Sequence, residues 1–284
     1  MLLVLEELGL KEEPFSLNPN PHFFYNTSTH DKALQRIYFS IEQRTGADCI
    51  YGDLGMGKSS VIEILSRRYA ERKNDFILSR IDNPSASSEF QFYSLLLEGL
   101  NIEKPKIRSG LEYRKAIERF VLEECAATDR TLLILIDEGQ ELRPEFIDIL
   151  RMLMNFGSPE RRYVHLVIFG QLELVAKMKR KRNFISRVGI SYVLNPLDRD
   201  ETKGLIEHRL KVAGWSGQPV WFTDETIDLI YKESKGVPRT TTNICRQGLN
   251  EMAMNGDERV TLEMIEPIAA EEARLYGEKQ VITI

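Results

Sequence analysis

The sequence predicts an α/β fold, a parallel sheet sandwiched by helices and followed by a small all-α domain. Three observations carry that expectation. Short apolar runs between Ala47 and Leu194 alternate with amphipathic stretches of helical spacing. After Asn195-Pro196-Leu197 the apolar runs stop and only helical patterning continues. Between the first apolar run and the helix after it lies Gly52-Asp53-Leu54-Gly55-Met56-Gly57-Lys58-Ser59, a glycine-rich turn joining strand to helix. Continuously apolar strands separated by helices belong to a sheet covered on both faces. In such sheets ligands gather at the carboxyl ends of the strands.

In chain order, residues 8–30 hold Pro14, Pro19 and Pro21 with Asn18, Asn20 and Asn26, which argues against helix or central strand. The aromatic residues Phe15, Phe23, Phe24 and Tyr25 argue for burial, so the segment reads as an ordered arm laid across the core. It either anchors there or, through Pro14, Phe15, Tyr25 and His30, walls a base-binding pocket. Asp31–Gln43 has helical spacing. Strands are expected at Ala47–Asp53, Phe76–Asp82, Thr131–Asp137, Val164–Gly170 and Ile190–Leu194. Helices are expected at Lys58–Tyr69, Phe90–Leu100 and Leu111–Cys125. Beyond residue 197, Asp198–Ala213, Thr223–Glu233, Arg239–Met254 and Thr261–Arg274 read as helices, with Asp198, Thr223 and Thr261 as N-caps. The expected divisions are an arm and helix over 1–46, a sheet domain over 47–197, a helical domain over 198–276 and a tail over 277–284.

A formal net charge of -5 excludes a globally basic nucleic-acid binder but leaves room for a local basic patch. Cys49, Cys125 and Cys245 have neither metal nor redox spacing and read as buried hydrophobes in a reducing cytosol. His22, His30, His165 and His208 show no ligand spacing. Met1–Leu5 lacks the basic start and cleavage site of a signal peptide, and no apolar run approaches ~18 residues, so no membrane partner is expected.

The turn at Gly52–Ser59 fills every fixed position of the phosphate-binding P-loop, G-x-x-x-x-G-K-S. Glycines let backbone N–H groups of Gly52, Asp53, Leu54, Gly55, Met56 and Gly57 converge on one spot. The helix carrying Lys58, Ser59 and Ser60 adds its positive end. Lys58 suits the β- and γ-phosphates of ATP, and the Ser59 hydroxyl suits Mg²⁺. Downstream, Leu132-Leu133-Ile134-Leu135-Ile136-Asp137-Glu138 is an apolar strand ending in adjacent carboxylates, the Walker B pattern. Asp137 is expected to hold Mg²⁺ and Glu138 to orient or deprotonate the attacking water.

These motifs, in this order, resemble an AAA+ ATPase, a P-loop NTPase fold with an all-α lid domain. The likeness is to the ExeA-type group, which also embraces transposition ATPases of the TnsC and MuB kind. It rests on Glu13-Pro14-Phe15-Ser16, Phe24-Tyr25 and His30, on Gly52–Ser59, and on Leu135-Ile136-Asp137-Glu138-Gly139-Gln140-Glu141-Leu142. It continues through Ile168-Phe169-Gly170-Gln171-Leu172-Glu173-Leu174, Ser186-Arg187-Val188 and Gly236-Val237-Pro238-Arg239. The resemblance implies that Gln171 is a polar sensor of the γ-phosphate or water. It implies that Arg187, in competition with Arg182, reaches the nucleotide of a neighbouring subunit. It implies that Arg239 reads nucleotide from the lid. ExeA-type secretion proteins carry a membrane span and a wall-binding region after this module, and their absence here shifts the expectation toward cytoplasmic, DNA-handling members.

In such proteins the segment between the second and third strands faces a central channel. Lys104, Lys106 and Arg108 are therefore expected to track a DNA backbone without reading bases, with Arg161 and Arg162 on the same side. The Lys177–Arg182 cluster is expected to meet a neighbouring subunit. The expected function is an ATPase that forms a ring or filament on double-stranded DNA, recruits or activates a transposase, and hydrolyses ATP to switch assembly. The alternatives are a secretion or envelope-assembly ATPase acting on protein partners, and a nucleotide-ordered scaffold with little turnover.

Overall fold

The structure, a computed structural model, describes residues 8–18, 20–156 and 161–281. The sequence readings at Met1–Leu5 and Pro19, and the end of the expected tail at 282–284, lie outside the described residues. By their contacts the residues divide into a sheet unit, Ser28–Leu54 with Val61–Leu194, and a helical unit. The helical unit takes in the chain up to Thr27, Gly55–Ser60 and the chain from Asn195 onward.

The sheet unit is built on β1 (Ala47–Tyr51), β2 (Phe76–Ile81), β3 (Thr131–Ile136), β4 (Val164–Gly170) and β5 (Val188–Val193). Their order is β2-β3-β4-β1-β5, and every neighbouring pair is parallel. β1, β3 and β4 are buried along their whole length, as their unbroken apolar sequences require, whereas β5 lies at the edge and alternates half-buried with exposed. The register aligns Tyr51 with Gly170 and Ile136 with Ile168. The carboxyl tips of β1, β4 and β3 therefore stand side by side, the outer two about 10 Å apart at the usual strand spacing.

Helices α1 (Ser28–Glu42), α2 (Lys58–Ala70), α3 (Glu89–Gly99) and α4 (Gly110–Phe120) fall where periodicity predicts them. Ser88 and Ser109 cap α3 and α4 through the N–H groups of Gln91 and Glu112. The expected helix to Cys125 changes instead to a π-helical turn at Val121–Ala126. A further helix, α5 (Pro144–Leu153), starts on Pro144 and buries Phe146, Ile147, Leu150 and Leu153. Phe146 stacks on Phe92 of α3 at 4.5 Å. Short helices α6 (Glu173–Lys179) and α7 (Arg182–Ile185) lead into β5.

A carboxylate lies wholly inside this core. Asp48, in β1, accepts hydrogen bonds from Ser40 Oγ at 2.6 Å and Ile190 N–H at 3.1 Å. His165 Nε2 lies 3.0 Å from its other oxygen. A buried carboxylate survives only with such partners, and these tie α1, β4 and β5 to β1.

The helical unit contains α8 (Arg199–Val212), α9 (Asp224–Ser234), α10 (Pro238–Asn255) and α11 (Leu262–Val281). Asp198 and Glu201 form a capping box, and Thr223 caps α9. The change of unit falls between Leu194 and Asn195, slightly before the expected residue 197. α11 runs on to Val281, so residues 277–281 are helix and not tail.

The arm departs from the sequence reading. It was expected on the sheet domain, yet Leu10, Phe15 and Phe23 lie in the helical unit's core with Ile206, Leu210 and Phe222. Arg209 of α8 holds it there, donating to the carbonyls of Pro14 and Ser16, each at 3.1 Å. Burial pushes this guanidinium down to about 10. Among the described residues no helix is long and apolar enough to cross a membrane.

Candidate active site

The loop Gly52–Gly57 leaves the tip of β1 and enters α2 at Lys58. Its start is tied to the neighbouring strand, since Gly52 N–H donates to Gly170 O at 3.1 Å. Gly55 and Gly57 have φ of +84° and +87°, in the region where only glycine sits without strain. Gly55 is required for a second reason. A Cβ there would lie 2.8 Å from Cβ of Arg239. The N–H of Arg239, in the first turn of α10, donates to Gly55 O at 3.3 Å. Arg239 therefore lies against Gly55, a residue of the same contact unit. Lys58 is buried, Ser59 is exposed, and Asp53 and Leu54 are exposed at the loop's outer edge.

At the tip of β3, Asp137 is buried and its Oδ1 accepts the N–H of Glu138 at 2.8 Å. Glu138 takes φ +50° and ψ +39°, left-handed backbone that a non-glycine residue rarely adopts. Its half-buried carboxylate is bonded by the side-chain amide of Gln140. The same amide's oxygen accepts the N–H of Gln171 at 3.0 Å. Gln171 is the first residue past β4, so the structure sets it between the tips of β1 and β3. Asp137, Glu138 and Gln171 thus stand at adjacent strand ends, and the P-loop leaves the strand beside them. Gln140 belongs to the stretch 137–142 that carries the family resemblance, but the sequence assigns it no role of its own.

Arg187 is at the opposite end of the sheet. Its carbonyl accepts the N–H of Ala47, the first residue of β1. β1 then spans about 16 Å to the P-loop at 3.3 Å per residue, beyond an arginine's reach. The guanidinium donates to Asn183 O at 2.8 Å and Asn155 Oδ1 at 3.0 Å, both neutral partners. Arg182 is exposed at the start of α7. Two other members of that basic cluster turn inward: Lys177 donates to the carbonyls of Gln140 and Leu142, and Lys181 pairs with Asp148 at 2.6 Å.

The arm residues are separated. Phe15 is 1% exposed and meets Phe222 edge-on, which leaves no ring face for a base. The packing it makes is that of an anchor. Tyr25 lies against Gly204 and His208 of α8, while His30 is buried in the first turn of α1 in the sheet unit. The basic residues also divide. Lys104, paired with Glu98 at 2.5 Å, and exposed Lys106 and Arg108 precede α4. Arg161 pairs with Asp129 at 2.6 Å, and Arg162 donates to Thr45 O. α4 and its π-helical extension put about 25 Å between the two sets at 1.5 Å per residue.

Residues 41–178 match the AAA domain family, and that span holds the P-loop, the acidic pair and Gln171. The glycine-rich loop in that span has the P-loop pattern, and the parallel sheet with helices after it in the chain is the α/β fold of P-loop NTPases. Across most of the chain the sequence is similar to general secretion pathway protein A of Aeromonas hydrophila, at 28% identity over 255 residues. That match takes in 89% of this chain and 45% of the relative, so the chain spans less than half of that protein's length. The fold is similar to the ORC2 protein of Aeropyrum pernix, solved as ADPNP–ADP complexes, with a TM-score of 0.67 and 18% identity over 92% of this chain and 72% of that one. It is also similar to the Aeropyrum pernix ORC1 protein in complex with DNA, at a TM-score of 0.62 and 18% identity over 87% of this chain and 66% of that one.

Proposed function

We propose that this chain hydrolyses ATP with Mg²⁺ at the tips of β1, β4 and β3, in an assembly whose subunits complete one another's sites, and that the assembly forms on double-stranded DNA. The observation that carries this is the division of charge along the sheet. Lys58, Asp137, Glu138 and Gln171 belong to one end, and Arg187 to the other. An arginine that is too far from its own P-loop, and held among the described residues by neutral oxygens, is suited to a nucleotide bound by another copy.

In this reading Lys58 places its ammonium on the β- and γ-phosphates. The Ser59 hydroxyl and the Asp137 carboxylate are hard oxygen ligands of the kind Mg²⁺ takes, alongside phosphate and water. When bound, the ion neutralises charge on the phosphates. Glu138 takes the proton as water oxygen bonds to the γ-phosphorus, and the bond from that phosphorus to the bridging oxygen breaks, leaving the electron pair on ADP. Gln171 orients the water or the γ-phosphate, Arg187 of a neighbouring copy stabilises the growing charge, and Arg239 senses the nucleotide beside Gly55.

DNA is favoured as the partner by the likeness to a DNA-bound ORC1 protein and by exposed Lys106 and Arg108. A chain of net charge -5 suits DNA only if many copies present one basic stripe. The finer reading is a ring or filament that recruits or activates a transposase. A second reading, a secretion ATPase acting on protein partners, is favoured by the 28% identity to general secretion pathway protein A. A gel-shift titration of long duplex DNA with ATP at low salt separates them. Binding that falls steeply as salt rises supports the first reading; no binding removes it and leaves the second.

A further inference from the structure

Beyond the residues that meet ATP, one side chain joins two strand tips. Gln140 lies on the turn Gly139–Glu141 that follows Glu138. Its amide nitrogen donates to Glu138 Oε2, and its amide oxygen accepts the N–H of Gln171 at 3.0 Å. Its own carbonyl accepts from Lys177 Nζ, which also reaches Leu142 O at 3.4 Å. The turn is thereby fastened to α6, and the amide bridges from the carboxylate after β3 to the first residue after β4. A side-chain amide offers a donor and an acceptor on one rigid plane. Its orientation is set by its partners: reversed, its oxygen would face a carboxylate and its NH₂ an N–H.

We propose that Gln140 is a positioning residue for hydrolysis, setting the direction of the Glu138 carboxylate and making it depend on the place of Gln171. With Oε2 engaged by Gln140, Oε1 is the oxygen left to take a water proton. Any shift of Gln171 on meeting a γ-phosphate is passed through one amide to that carboxylate. The proposal rests on Glu138 handling the water.

The test compares steady-state ATP hydrolysis and ADP affinity in Gln140→Met, Gln140→Glu, Glu138→Gln and the double variant Glu138→Gln/Gln140→Met. Gln140→Met keeps length and loses both bonds. Gln140→Glu keeps the acceptor for Gln171 and sets a like charge against Glu138. Both are expected to lower kcat by about 10- to 100-fold, the scale of a misplaced catalytic group, with KM for ATP and Kd for ADP within about twofold. The double variant is expected to be no slower than Glu138→Gln alone, because residues acting through one another do not add. Normal kcat in Gln140→Met, or kcat and KM changing in step, overturns the proposal. So does a double variant slower by the product of the single effects. Normal turnover in Glu138→Gln instead removes the role of Glu138, and this proposal with it. Should Gln140→Met fail to melt cooperatively, Gln140→Asn, too short to span both partners, takes its place with the same expected results.

Discussion

Glu138 holds a left-handed backbone conformation at φ +50° that costs a residue with a Cβ about 1–2 kcal/mol. Asp137 and Gln140 hydrogen-bond it there. Such strain is kept where it aims a side chain. Glu138→Gln is therefore expected to lower kcat by about 10²–10⁴-fold, the contribution of a general base, while ATP binding by filter retention stays within about twofold. Phe15→Ala tests the other kind of residue. Its ring fills the helical core, so the variant should lose about 3–5 kcal/mol in urea unfolding, with unchanged ATP affinity under conditions where it folds. P-loop residues were legible because their chemistry fixes their spacing. Phe15 was not, since an aromatic residue in a proline-rich arm says that it is buried and not where. Gln140 was legible as part of a motif, but its bridge was not, because it joins the ends of two strands far apart in sequence.

The same contrast appears among the elements. β1, β3 and β4 were legible because a strand buried on both faces must be apolar throughout. The π-helical turn at Val121–Ala126 left no mark in a pattern that reads as helix all the way to Cys125. Asp48 is the polar exception inside β1, and its partners lie on α1, β4 and β5. Asp48→Ala would leave buried donors unsatisfied at about 1–3 kcal/mol each. A loss of about 3 kcal/mol or more in denaturant unfolding is expected, and a loss below about 1 kcal/mol would contradict the tethering role. α2 is tied to β2 by Glu63, which pairs with Arg80 at 2.9 Å and Arg67 at 3.1 Å. Hydrogen bonding from Arg67, then from Arg80, holds its carboxyl below the usual range. A carboxyl depressed on folding stabilises above its unfolded value and loses that contribution as pH falls through the folded one. Wild-type protein should thus lose more stability than Glu63→Gln below about pH 4, measured by urea midpoints across that range.

At the scale of the whole molecule, the sheet carries its phosphate-binding groups at one end and Arg187 at the other. In the proposed assembly a head-to-tail contact would bring them together at every junction, which a lone copy cannot do. The sequence named Arg187 through a family resemblance, but its distance from the P-loop follows only from the parallel pairing of β5 with β1. Mixing two variants tests this most directly. Glu138→Gln lacks its own base and supplies Arg187; Arg187→Ala keeps its own base and lacks the arginine. Each alone should be nearly inactive. An equal mixture should recover about one quarter of the wild-type rate, the random share of junctions that place an intact arginine on an intact site in head-to-tail order. A mixture no faster than its separate components, or an Arg187→Ala protein that turns over normally by itself, would contradict the account.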